Sequence, residues 1–283
     1  MRMRIGFIGA GKVGFSMGKY FAEHHIDVSG YYSQSTNSAK EAADFTKSKY
    51  YETTGELVRD SEVIFITVPD DAIGQVWEQL KTLQPEIKDK IICHCSGVLS
   101  SKIFSDISAY NCSGLSIHPL LAVSSKSQSY KEISSTLFTI EGEEKAAIKF
   151  KELLNSCGNE VIFIEPQEKV RYHAAAVMAS NLVIGLVGTA VQELIKCGFT
   201  KELAMKAIIP FMQQNVAHLG EHTLEEALTG PVERGDVGTV KAHIDKLDGN
   251  NKEIYRLLSL KALEIARVKN PQRDYDGIQD ELE

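Results

Sequence analysis

The sequence predicts an α/β chain: an N-terminal doubly wound parallel sheet of the Rossmann type, followed by an all-α C-terminal domain. Three observations predict it. A short apolar strand runs into "GAGKVG" at residues 9–14. Strand and helix patterns then alternate to about residue 165. Beyond "EPQEK" no strand pattern follows, and long helical patterns take over. Alternation of this kind is the signature of a parallel sheet covered on both faces, because parallel strands need crossover helices.

In order, residues 4–8 form the first strand, and a helix follows the glycine turn from about Val13 to His24. "DVSGYY" is the second strand, and "NSAKEAADF" opens a helix with a polar cap. "SEVIFITV" is a continuous apolar run suited to a central strand buried on both faces. "DDAIGQVWEQL" is the helix after it. "KIICH" and "SGLSIH" are strands with a short helix between them, and "STLFTI", "EEKAAIKFKELLNSCG" and "EVIFI" complete the alternation. Helices are expected over 168–197, 201–219, 236–247 and 251–268. The expected domains are therefore 1–165, 166–270 and a solvated acidic tail at 271–283.

Composition narrows the function classes. With 43% hydrophobic and 24% charged residues in 283, the chain has enough apolar residues for a buried core. A net charge of -7 without a basic tract argues against nucleic acid as a partner. Five cysteines, an odd number without a compact spacing, indicate reduced thiols and a cytoplasmic protein. "CHC" at 93–95 has no second ligand cluster, and no metal site is expected. The basic and apolar N-terminus imitates a leader peptide, but its glycines and Lys12 fit a first strand and turn better.

The glycine motif carries the clearest chemistry. Between a strand and a helix, Gly9 permits a tight turn, Gly11 lets backbone approach a pyrophosphate, and Gly14 lets helix and strand pack closely. Ala10, Lys12 and Val13 belong to the same cradle, whose helix N-terminus offers free N–H groups to phosphate. The second strand ends in "YYSQSTNSAK" without a carboxylate to read a ribose 2′-hydroxyl. Ser33, Gln34 and Ser35 there favour NADP over NAD, although the arginine usual beside a 2′-phosphate is missing. Val68 and Pro69, then Ser96 and Gly97, stand at later strand ends, where cofactors of open sheets bind. His118, also at a strand end, is either a proton donor or a turn former with Pro119.

Between Tyr172 and Gln192 the sequence carries no formal charge and is long enough to cross a bilayer. His173, Ser180 and Asn181 interrupt it, and a buried core or dimer-interface helix is expected instead of a membrane span. As one continuous helix it would bring His173, Ser180 and Asn181 into neighbouring sectors, a candidate catalytic and substrate-binding face. In "TGPVERGDVGTVKAH", Asp236 and Thr239 read as a helix cap, and Arg234 beside them is a candidate for an anionic substrate.

Taken together, "IGFIGAGKVG", "ITVPDDAI", "CHCSGVLSS", "SIHPL", "YHAAAVMASN" and "GPVERGDVGTVKAH" resemble a family of NADP-dependent oxidoreductases that join a Rossmann domain to a helical domain of unknown function. The Rossmann half is also similar to pyrroline-5-carboxylate reductase, ketopantoate reductase and the 6-phosphogluconate and hydroxyisobutyrate dehydrogenases. The resemblance implies hydride transfer between NADPH and a small carbonyl or imino acid, and a homodimer built by the helical domain. His173, Asn181 and His118 are then the expected catalytic residues, with Ser180, Arg234, Asp236 and Thr239 toward the substrate. One departure stands out: the hydroxyacid dehydrogenases place a catalytic lysine four residues before the asparagine, where this chain has Val177. That absence leaves an alternative, a catalytically inactive NADP-binding regulatory or interaction protein.

Overall fold

The computed structural model describes residues 3–283; Met1 and Arg2, part of the leader-like stretch, lie outside the described residues. The chain divides into two compact units, Met1–Ser180 and Asn181–Glu283. The division falls after Ser180 and not near 165, because the segment after the last strand still joins the first unit.

The first unit contains β1 (Arg4–Ile8), α1 (Lys12–Glu23), β2 (Asp27–Tyr32), α2 (Thr36–Thr46), β3 (Lys49–Tyr50), α3 (Thr54–Asp60), β4 (Val63–Ile66) and α4 (Asp70–Lys81). It continues with β5 (Ile91–His94), β6 (Ser113–Pro119), α5 (Tyr130–Ile133), β7 (Phe138–Gly142), α6 (Glu144–Ser156), β8 (Val161–Phe163) and α7 (Lys169–Ala179). Two 3₁₀ turns, Ser101–Ile103 and Ile107–Tyr110, fill the expected short helix between β5 and β6. The strand order is β3-β2-β1-β4-β5-β6-β7-β8. Strands β1 to β6 pair in parallel, β7 runs antiparallel to β6, and β8 is parallel to β7. The order reverses between β1 and β4, which opens a crevice at the carboxyl ends of those strands.

The central strands are apolar on both faces because both faces are covered. Phe7, Val63, Phe65 and Cys93 join one core cluster with Phe21 and Phe150, while Ile64, Ile66 and Ile92 join the other with Trp77 and Phe104. The alternation also separates Cys93 from His94, as the two-residue period of a strand requires.

The second unit is helical: α8 (Asn181–Lys196), α9 (Lys201–Glu221), α10 (Leu224–Ala227), α11 (Pro231–Arg234), α12 (Val237–Lys246), α13 (Gly249–Lys269) and α14 (Asp276–Leu282). Its core joins Val240, Ile244, Leu263 and Ala266 to Tyr275, Ile278 and Leu282.

Three sequence expectations need correction. The run from Tyr172 to Gln192 is not one helix: at Ser180 the backbone turns to φ -126° and ψ -84°, and α7 ends there. The shared sector drawn for His173, Ser180 and Asn181 therefore does not apply. The run is also not a core helix of this chain, since Met178, Leu182 and Ile184 are exposed, Ile184 by 73%. By length and composition alone the Pro166–Lys196 segment would reach across a membrane. The acidic tail is not loose. Ile278 and Leu282, one helical turn apart, are fully buried with Tyr275 beside them, so α14 docks by its apolar face while its acids point outward.

Candidate active site

The site forms on the first unit, where β1, β4, β5 and β6 end. Gly9 follows β1 with φ +109°, a backbone state that favours glycine, and a Cβ there would stand 2.6 Å from the Thr67 carbonyl oxygen. The Gly9 N–H donates to the Tyr32 carbonyl (2.8 Å) and the Thr67 hydroxyl donates to the Gly9 carbonyl (2.8 Å), so the turn is tied to β2 and to the end of β4. Gly11 caps α1 without a side-chain hydrogen bond, leaving the first N–H groups of that helix open to an anion.

A cleft of about 270 Å³ runs past Gly9, Ala10, Gly11, Ser33, Gln34, Val68 and Pro69. A second, of about 380 Å³, is lined by Gly11, Lys12, Val13, Pro69, Asp70, Cys95 and Ser96. The two share Gly11, Thr67, Val68 and Pro69, so they form one groove across the strand ends. The glycine turn, the uncapped helix end and the course of this groove across the strand ends fit a dinucleotide. At the outer end Ser35 caps α2 by accepting from the Ser38 N–H at 3.3 Å, and the Ser33 hydroxyl accepts from the Ser35 N–H at 3.3 Å.

At the inner end, the segment after β5 is held from several sides. The Ser96 hydroxyl donates to Asp70 Oδ2 (2.7 Å) and accepts from Leu99 N–H (3.0 Å), and the Ser96 N–H donates to His94 Nδ1 (3.1 Å). Gly97 lies against two histidines. A Cβ there would collide with His173 Nδ1 and stand 2.9 Å from His118 Nε2. The two imidazole rings are 6.2 Å apart and nearly perpendicular. His118 Nδ1 and the Tyr172 hydroxyl form a 2.8 Å hydrogen bond whose direction follows the His118 tautomer. His173 Nδ1 is buried without a protein partner.

Sequence reasoning missed one member. Lys169, the first residue of α7, is 1% exposed, and its ammonium donates to the Ser96 carbonyl (2.7 Å) and the Ser116 hydroxyl (2.6 Å). A signal was present: Lys169 and His173 are four apart, and that spacing stacks side chains on one helix face.

Electrostatics separates the titratable groups. Burial first, then the Lys169 charge, then His173 and His94, lower His118 to about 3, so its imidazole is neutral at pH 7. Burial lowers His94 to about 4. Burial also lowers Lys169 to about 8, against the opposing pull of Glu141, Cys95 and Asp70. The Cys95 thiol is pushed up to about 12, again by burial, and is no nucleophile at neutral pH.

The structure thus brings Gly97, His118 and His173 together. Ser180 remains in the first unit, where its hydroxyl donates to the Ala176 carbonyl at 2.7 Å. Asn181, Arg234, Asp236 and Thr239 belong to the second unit. There Asp236 caps α12, accepting from the Thr239 N–H (3.0 Å) and hydroxyl (2.7 Å), and those bonds hold its carboxyl below the ordinary value.

Fold and site together define a dinucleotide-fold protein with a helical second part. Residues 1–119 match a Rossmann-like domain, and residues 136–262 match DUF2520, a domain of unknown function. The chain therefore joins a Rossmann-like domain to a DUF2520 domain, and the candidate site draws His118 from the first matched stretch and Lys169 and His173 from the second. No curated protein matches the chain. Among solved structures, protein TM1727 from Thermotoga maritima is 25% identical with a TM-score of 0.74, over 94% of this chain and 99% of that one. BF3122 from Bacteroides fragilis, a proposed NADP oxidoreductase, is 20% identical with a TM-score of 0.70, over 93% and 98%. Pyrroline carboxylate reductase from Plasmodium falciparum, with NADP bound, is 17% identical with a TM-score of 0.63, over 94% and 96%. These likenesses establish the fold.

Proposed function

We propose that the chain is an NADP-dependent oxidoreductase that transfers hydride between NADPH and a small acid bearing a carbonyl or imino group. The observation that carries this reading is the pair His118 and His173 closing on Gly97 at the inner end of the dinucleotide groove. The named chemistry of BF3122 and of the Plasmodium reductase supports the same class.

When bound, NADPH supplies the hydride. The backbone from Gly9 to Gly14 receives the pyrophosphate, and Ser33, Gln34 and Ser35 receive the adenosine end, where no carboxylate repels a 2′-phosphate. Val68, Pro69, Ser96 and Gly97 line the nicotinamide end. His173 presents a buried, unpaired ring nitrogen and is the proton donor to the acceptor's oxygen or nitrogen. His118, neutral at pH 7, orients and does not supply an acidic proton.

The apolar, exposed residues of α8 and α9, among them Leu182, Ile184, Phe211 and Val216, form a surface for a second copy of the chain. The cysteines are all unpaired, which suits a reducing cytoplasm.

Titration with NADPH and NADH, followed by turnover on a panel of keto acids, imino acids and aldehydes, tests the reading. Tighter NADPH binding and oxidation by at least one acceptor are expected. Binding without any oxidation would leave the inactive regulatory alternative, and no binding of either nucleotide would overturn both.

A further inference from the structure

Lys169 is an unusual residue to bury. Lysine is almost never fully buried without a partner of opposite charge, and among the described residues Lys169 forms no ion pair. Its ammonium is met by two neutral oxygens, from Ser96 and Ser116. An apolar side chain of similar length would fill the position without the cost of desolvating a charge. Stability therefore does not explain it.

Its placement does. Lys169 is one turn before His173 on α7. Ser116 is two residues before His118 on β6, so both point to the same side of the sheet. Ser96 precedes Gly97 after β5, and the Ser116 hydroxyl also reaches the Ser96 carbonyl at 3.4 Å. One ammonium thus joins the three elements that supply Gly97, His118 and His173.

We propose that Lys169 is a positioning residue of this site: it ties the Ser96 carbonyl and the Ser116 hydroxyl to α7, and so sets Gly97 against His173. The proposal rests on the oxidoreductase reading for its catalytic consequence, but its geometric part stands without it. The charged and titratable groups around Lys169 are Glu141 on β7, Cys95 and His94 at the end of β5, Asp70 on α4, His118 on β6 and His173 on α7. A positive charge among them opposes a second one on His118.

Nuclear magnetic resonance titration of the histidine rings and of the Gly97 amide, in cofactor-free protein, tests this. In wild type the Gly97 amide is expected to shift with a single step near the lowered Lys169 value of about 8. In Lys169→Met that step disappears, and the His118 midpoint moves upward because a like charge has been removed. In parallel, kcat falls at least tenfold while the KM for NADPH changes less than threefold, and the melting temperature is unchanged or higher. Unchanged His118 and Gly97 titrations in the variant would overturn the proposal. So would a large loss of stability with kcat intact, which marks a structural lysine. If Lys169→Met does not fold, the wild-type Gly97 titration decides alone: a flat response through the same pH range overturns the proposal. Absence of turnover in wild type would strike the oxidoreductase reading and leave the titration result standing.

Discussion

Gly97 shows how much a single residue can set. It has no side chain where His173 and His118 approach, and any Cβ would push the rings apart. Gly97→Ala is expected to cost about 1–3 kcal/mol of stability, as for other overpacked sites. It should also lower turnover by displacing His173, which thermal melts and steady-state rates check together. At the adenosine end, Ser33→Asp places a carboxylate in the groove that receives the 2′-phosphate. NADPH affinity should fall relative to NADH by roughly tenfold or more, measured by titration of both nucleotides. Much at this scale was legible in the sequence. The glycine motif, Ser96, Gly97, His118 and His173 stand out because strand ends and glycine turns leave local marks. Lys169 was not legible as a site residue. Its four-residue spacing from His173 places the two on one helix face, but its burial comes from long-range contacts with Ser96 and Ser116 that the local pattern "EPQEKVRYH" does not report.

Elements were read well where periodicity is strong and poorly where one residue decides. The central strands and the helices of the first unit follow their apolar patterns. The break at Ser180 does not, because the apolar, helix-compatible runs before Ser180 and after Asn181 read as one segment. Nor does the docked tail: five acids dominate its composition, while Tyr275, Ile278 and Leu282 carry the packing. Leu282→Ala is therefore expected to destabilise the second unit by about 2–5 kcal/mol, as for a buried leucine elsewhere, and denaturant unfolding measures it. In the first unit Thr53 and Glu56 form a capping box at the start of α3, with Glu56 N–H to Thr53 Oγ1 at 3.3 Å. Thr53→Ala is expected to cost about 1 kcal/mol.

At the scale of the whole molecule, acid stability follows from the histidines. His94 is lowered to about 4 and His118 to about 3 in the folded chain. Unfolded, both return to about 6.5 and bind protons that the folded state refuses. Stability therefore falls as pH drops from about 6.5 toward 4, with His94 contributing on the order of 3 kcal/mol at the acid end. His94→Asn keeps an acceptor for the Ser96 N–H and should flatten part of that slope in urea melts at several pH values. Lys169 acts in the same sense in a higher window: its lowered value means that the unfolded chain holds the extra proton, and its contribution to stability rises with pH between about 8 and 10.5. The exposed apolar residues of α8 and α9 are expected to pair two copies in solution. Sedimentation should give twice the chain mass of 31.3 kDa, and Ile184→Glu should return the monomer.

In the proposed reaction, hydride from NADPH and a proton from His173 reach the same acceptor group. The most direct measurement is the single-turnover rate of His173→Ala on an accepted substrate, with NADPH affinity determined on the same sample. Removing a positioned proton donor typically lowers rates by about 10²–10⁴-fold, and a loss of that size with NADPH affinity within twofold of wild type is expected. An unchanged rate with NADPH still bound would contradict the account.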